Sequence, residues 1–398
     1  MIMRRLKIAI VGYDAYPIPS IKGGAVEELM TVLLNQNEKN PEFDFTVFTI
    51  EDEGLAPLLK NYNYTKIVQI SRRGFLNVIL FLYKILRRIT FFRLPYRSLY
   101  MVRINKQLRN NHYDVVFFAT NNYQVAQIDS KIKSHILYGV YSDYLKSDSY
   151  GINYIKKRLD SFVAIKYIGQ RLKEELGEDT KVYELEGCCD IERKSLEERN
   201  VIRKKIRTKH GIDEKDIVVL YCGRLSPEKG PLQLIQAIQK VDNCKLILVG
   251  GSNFSKNEKN KYVCQLHEEA SKYNDKFIFT GYIPNHTDMI EYMYASDIGV
   301  VPSVCNEAGS TALVEFRVAG VPTIISRMGG MPNYAGKETL IVENDDNYVT
   351  NLANAIKEFV EDDQLRKECT RANFDDLSYL SRDLYFERFK EMILSIVN

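Results

Sequence analysis

Short apolar runs rich in Val, Ile, Leu and Phe alternate along this chain with stretches whose apolar positions recur every three or four residues. The first pattern marks strands buried on both faces and the second marks helices. Their alternation predicts βαβ units with parallel sheets. In the first half, strands are expected at 6–13, 44–50, 113–120, 135–142 and 162–167. In the second half they are expected at 216–225, 244–251, 276–282, 297–303 and 322–328. Residues 190–214 are densely charged with few large apolar groups, so a linker is expected there. The closing stretch "SRDLYFERFKEMILSIV" spaces Leu384, Phe386, Phe389, Met392, Ile393 and Ile396 as one helical face, which should pack on a domain.

Length turns this pattern into a domain count. A chain of 398 residues exceeds what one core organises, so two doubly wound α/β domains are expected, 1–190 and 191–380. With 45% hydrophobic and 27% charged residues the composition is that of an ordinary globular protein, and a net charge of +3 is close enough to balance that only its distribution along the chain is informative. Seven cysteines without a C-x-x-C pair exclude a zinc ribbon and indicate a reducing, cytoplasmic setting. "MIMRRLKIAIVGY" is expected to be a first strand rather than a signal peptide, and no apolar run reaches the roughly 18 residues of a membrane span.

Chemistry is expected where strands open into loops. After the first strand comes "DAYPIPSIKGGAVEELMTVLL", in which Gly23 and Gly24 precede a helix. Glycines there let backbone N–H groups approach an anion at the helix start, or simply make the turn. "YCGRLSPEKGPLQLIQAI" repeats the grammar, with Arg224 and Lys229 in the loop and Gly230-Pro231 at the helix entry. An Arg fork and a mobile Lys charge together suit a diphosphate. In "PSVCNEAGSTALVEFRVAGVPTI", Ala308, Gly309, Ser310 and Thr311 lie at a helix N-terminus and can receive an anion. Glu307 and Glu315, eight positions apart, are acceptors for the paired hydroxyls of a sugar or ribose. The alternative is that Glu307 caps the helix and Glu315 lies on a solvated face.

Taken together, "GRLSPEKG", "GYIPNHTDMIEYMYASDIGVVPS", the Glu307-x7-Glu315 spacing and "AGVPTIISRMGGMPNYAG" resemble the nucleotide-sugar half of family 4 retaining glycosyltransferases, and "IPSIKGGAVEELMTVLL" resembles their first loop and helix. The resemblance spans most of the chain and is weakest from about 54 to 110. It implies the GT-B fold, two Rossmann-like domains facing a central cleft, with the N-terminal one binding the acceptor and the terminal helix, about 380–398, crossing back to it. By the same resemblance Arg224 and Lys229 would hold the donor diphosphate, Glu315 the ribose and Glu307 the transferred sugar. Backbone at 309–311 would bind sugar or phosphate, Tyr282 and Ile283 the base, and Gly23 and Gly24 would lie across the cleft. The donor would be a nucleoside-diphosphate sugar, with UDP the expected nucleotide, and no cofactor is implied.

Two departures stand out. The family commonly has Gly three residues after the first Glu, where this chain has Ser310, with Gly309 one place earlier. Many members also carry a His at the end of an N-domain strand. Here "HILYGVYSDY" offers Val140, Tyr141 and Asp143 at that point, and His135 stands at the strand's beginning. No Asp-x-Asp motif is present to carry a divalent metal, so metal-independent transfer is expected, with retention of anomeric configuration as the resemblance implies. The acceptor is expected to be a carbohydrate or a polyprenyl-linked one, as in bacterial surface polysaccharide or glycolipid synthesis. Two other readings are a non-catalytic carbohydrate-binding or coat-assembly protein on a degenerate scaffold, and a two-lobed nucleotide-sugar epimerase.

One segment adds a partner. From Gly54 to His112 there is no acidic residue, and 72–109 interleaves Arg and Lys with Phe, Leu, Ile and Tyr. Such a segment can lie on an anionic membrane at the inner face of the cell, or form core helices whose cations snorkel outward. No nucleic-acid motif accompanies the charge.

Overall fold

In a computed structural model, the structure describes residues 4–74, 76–90, 96–189, 194–252, 260–273, 275–375 and 378–397. Two compact units emerge, Met1–Cys188 with Arg382–Asn398, and Cys189–Ser381.

The first unit holds a seven-stranded parallel sheet of β1 (Leu6–Gly12), β2 (Phe43–Ile50), β3 (Thr65–Ile70), β4 (Val115–Ala119), β5 (His135–Val140), β6 (Ser161–Ala164) and β7 (Val182–Glu184). Their order is β3-β2-β1-β4-β5-β6-β7, so the winding reverses between β1 and β4. Ile8 pairs in register with Phe45 on one side and Val115 on the other, and all three are buried. The terminal helix Arg382–Val397 joins this core, with Phe389 edge-on to Phe43 at 6.0 Å and to Phe117 at 5.9 Å. Lys390 anchors its exposed side to Glu42 at 2.6 Å.

The second unit holds β8 (Ile217–Cys222), β9 (Cys244–Val249), β10 (Phe277–Gly281), β11 (Ile298–Val301), β12 (Thr323–Ser326) and β13 (Leu340–Val342). The order β10-β9-β8-β11-β12-β13 is again parallel throughout, with its reversal between β8 and β11.

Three strands escape the apolar-run criterion. β3, β7 and β13 are edge strands, only partly buried, and β7 and β13 are three residues long. The run read as 162–167 ends at Ala164, because Lys166 already opens the helix Lys166–Leu176.

The charged stretch 190–214 is a correction. Residues 190–193 lie outside those described, but Leu196–Lys209 is a helix opened by a capping box between Ser195 and Glu198. Its charges resemble a solvated linker and are instead paired. Arg203 and Arg207 converge on Asp297 at 2.8 and 2.7 Å, and Lys205 meets Glu291 at 2.7 Å.

Candidate functional site

At a reversal of strand order, neighbouring loops part and leave a crevice outside the carboxyl ends of the strands. In the second unit that crevice lies between the loops after β8 and β11. The first carries Arg224 and Lys229, the second Glu307 to Ser310. The two loops are tied to each other through backbone. Val304 N donates to Glu228 O at 3.0 Å, and Gly230 has φ +70 with its missing Cβ position 1.9 Å from the Pro302 carbonyl oxygen. No side chain fits there, so this glycine lets the β8 loop press on the β11 loop.

That approach brings Lys229 onto Glu307. Lys229 Nζ donates to Glu307 Oε1, which also accepts from Ser303 Oγ at 2.6 Å. Gly330 N donates to the Glu307 carbonyl at 2.7 Å, fixing the backbone from the β12 side. Arg224 stands at the rim, its guanidinium 3.2 Å from Glu228. Burial raises the Glu228 carboxyl, but hydrogen bonds from Ser226 and the backbone, with Arg224 and Lys229 nearby, hold it below its ordinary value. Both cations and Glu307 therefore sit in one charged loop cluster. Burial, with Glu307 adjacent, pushes the Cys305 thiol above its ordinary value.

Glu307 does not cap the following helix, Thr311–Val318. Ser310 does, accepting from Leu313 N at 3.4 Å. This accounts for the departure at 309–310. A Cβ at Gly309 would lie 2.8 Å from the Tyr334 ring, so glycine belongs one residue earlier, and the next position is the cap. Ala308 and Ser310 are buried and Thr311 is exposed at the first turn, where N–H groups have no intrahelical acceptor.

Glu315 is not on a solvated face either. It is 4% exposed, and its Oε1 meets His286 Nε2 at 2.7 Å. His286 opens the helix His286–Ala295 behind Asn285, whose side chain accepts from Thr287 N at 2.9 Å. Tyr282 and Ile283, both half-buried, lead from β10 into that helix. Burial, with Glu315 adding, lifts the Cys222 thiol at the end of β8 well above its ordinary value. Sequence reasoning missed His286. Its only signal is its place at the first turn of a helix after a strand, a position that becomes meaningful once Glu315 is seen opposite.

Gly23 and Gly24 belong to the first unit, after β1, with φ +74 and +118. Gly24 precedes the helix Ala25–Lys39, and Glu27 in its first turn reaches back until its Oε2 occupies the space a Gly24 Cβ would need. Glu27 is 5% exposed, and burial pushes its carboxyl from 4.5 up to about 7. Its charge is felt by Tyr141, at the end of β5, whose buried hydroxyl has no hydrogen-bond partner among the described residues. Asp143 is held by Lys146 at 3.1 Å and Arg171 at 3.4 Å, and His135 pairs with Asp160 at 3.0 Å at the start of β5. Glu27 is a second residue the sequence reading passed over.

Comparison with known proteins adds to this geometry. Residues 202–375 match the family model described as Glycosyl transferases group 1. The chain is 25% identical over 386 residues, 92% of its length and 86% of the relative's, to the Bacillus subtilis (strain 168) protein named "Putative glycosyltransferase YtcC". It is 24% identical over 359 residues to "Spore coat protein SA" of the same organism, covering 86% of this chain and 87% of that one. Its fold is similar to the solved structure of Anabaena Alr3699/HepE in complex with UDP and glucose, with a TM-score of 0.76 at 18% identity over 98% of this chain and 100% of that chain. The fold is GT-B, and the family match and the relatives together support a GT-B glycosyltransferase.

Proposed function

We propose that this chain is a family 4 retaining glycosyltransferase that moves a sugar from a nucleoside-diphosphate sugar to a carbohydrate or lipid-linked acceptor in surface polysaccharide or glycolipid synthesis. One observation carries the reading. Where β8 and β11 part, Lys229, Glu307 and Ser303 form one hydrogen-bonded group, in the same two loops that carry Arg224 and lead into the N-terminus of Thr311–Val318. This is a place for a doubly charged diphosphate with a sugar attached. The solved Anabaena relative of the same fold binds UDP and UDP-glucose, which favours UDP as the nucleotide.

In this reading, Lys229 exchanges part of its contact with Glu307 for the diphosphate, and Arg224 swings from Glu228 to fork onto the same group. The freed Glu307 carboxylate accepts hydroxyls of the transferred sugar. Glu315, oriented by His286, takes the ribose hydroxyls, and Tyr282 and Ile283 border the base. As the bond from the anomeric carbon to the diphosphate oxygen breaks, negative charge grows on that oxygen. The two cations, once seated on the diphosphate, and the 309–311 amides stabilise that charge as it develops. The acceptor hydroxyl attacks from the leaving group's side and passes its proton to the departing phosphate, so configuration is retained. The cations take the place that an Asp-x-Asp motif and its metal hold elsewhere.

The test is donor turnover by purified chain with UDP-sugars, followed by chromatography of released UDP. Arg224→Ala and Lys229→Ala are each expected to lower kcat at least a hundredfold, about 2.7 kcal/mol, with unchanged circular dichroism. Full turnover in both variants overturns the diphosphate assignment.

A further inference from the structure

The helix Leu76–Ile89 is built inside out. Ile79, Phe81, Leu82, Ile85, Leu86 and Ile89 are 41–68% exposed, although a helix packed on a soluble core turns such residues inward. At about 100° per residue, these six occupy an arc of about 160° on its outer side. Leu80, Tyr83, Arg87 and Thr90 form the opposite, half-buried side. Cation–π contacts bind that inner side to the unit. Arg87 lies 5.8 Å from both the Tyr96 and Tyr150 rings, and Arg97 lies 5.7 Å from the Tyr83 ring. The helix is thus held by polar and aromatic contacts and shows its apolar side to the surroundings.

Charge identifies what covers that side. Lys84 and Arg88 are exposed along the edge next to Phe81, Arg72 and Arg73 are exposed just before the helix, and no acidic residue occurs between Gly54 and His112. A second copy docked on this face would set cations against cations with no carboxylate from the stretch to offset them. An anionic lipid surface supplies both an apolar layer and opposite charge. Fourteen residues span about 21 Å, too short to cross the roughly 30 Å hydrocarbon core but long enough to lie flat at its boundary. Among the described residues, no helix is long and apolar enough to cross a membrane. Residues 75 and 91–95 of the basic segment lie outside those described.

We propose that the outer face of Leu76–Ile89 docks on an anionic lipid bilayer, with the helix in the plane of the headgroups and Lys84 and Arg88 among them. Docking stands independently of sugar transfer. That it delivers the chain to a lipid-borne acceptor rests on the proposed function.

The chain contains no Trp, so Phe81→Trp places a single reporter on the docking face. Mixed with vesicles of equal parts phosphatidylglycerol and phosphatidylcholine, this full-length variant is expected to show blue-shifted emission and quenching by brominated acyl chains. Phosphatidylcholine vesicles should leave the spectrum unchanged. Lys84→Gln with Arg88→Gln should weaken partitioning about 25-fold at low salt, a factor of about five for each cation. Ile85→Ser with Ile89→Ser should weaken it at least tenfold at every salt concentration. Both double variants should bind UDP as the parent does, by thermal shift. An unshifted spectrum with the anionic vesicles, or partitioning indifferent to both double variants, overturns the proposal. So does a dimer in light scattering that Ile85→Ser with Ile89→Ser disperses while vesicles leave the chain unbound. Sugar transfer to a soluble acceptor without vesicle binding would sink the docking alone. Vesicle binding without donor turnover would sink the enzymatic reading alone.

Discussion

Replacing Glu27 with Gln should change how the stability of the first unit depends on pH. The Glu27 carboxyl is 5% exposed, and burial pushes its pKa from 4.5 to about 7, against a backbone hydrogen bond that lowers it and with Glu28 adding to the rise. Between these two values the folded chain keeps a proton that the unfolded chain has released. Stability is therefore full below pH 4.5 and falls as pH rises through 7. Two and a half pH units, at about 1.4 kcal/mol each, make the ionised form cost about 3 kcal/mol above pH 7. Gln has the shape of the neutral acid and no proton to lose. In scanning calorimetry of the full chain, Glu27→Gln and the parent should melt alike near pH 4.5 and diverge up to neutrality. At about 2–4 °C per kcal/mol for a unit of this size, the variant should lead by roughly 6–12 °C at pH 8. Melting curves that keep a constant separation from pH 4.5 to 8 would refute the buried, neutral carboxyl.

Gly230→Ala forces a side chain into positive φ and against the Pro302 carbonyl, so the second unit should lose more than about 2 kcal/mol, read as a melting transition lowered by several degrees. His286→Ala leaves the buried Glu315 carboxylate without its imidazole, and a lost hydrogen bond to a charged group of about 1.5–3 kcal/mol should weaken UDP binding at least tenfold in titration calorimetry. His286→Gln, which can still donate, should recover part of that loss, and equal affinity in the parent and the alanine variant would remove His286 from the site.

The parallel strands were legible because a strand buried on both faces must be apolar along its whole length, as in "IVVLYC" and "CKLILV". β3, β7 and β13 were not, because edge strands are short or half-exposed and leave no comparable run. Of the site, Arg224, Lys229, Glu307 and Glu315 could be picked out by residue type and spacing in a strand-loop-helix setting. Their partners could not. Lys229 reaches Glu307 across 78 positions and His286 reaches Glu315 across 29, distances that only the fold closes. The helix at 196–209 illustrates the opposite failure, in which a charge run looks solvated until Asp297 and Glu291 are placed beside it.

By itself, then, the sequence determined the two doubly wound halves and the strand-loop-helix junctions in which the candidate residues lie, since hydrophobic period and turn residues act over a few neighbouring positions. Tertiary structure alone decided which charges meet, that Ser310 rather than Glu307 caps the helix, that Glu27 is buried, and that the apolar face of Leu76–Ile89 points outward. These depend on contacts between segments far apart in the chain, and on burial, which no single stretch of residues can fix.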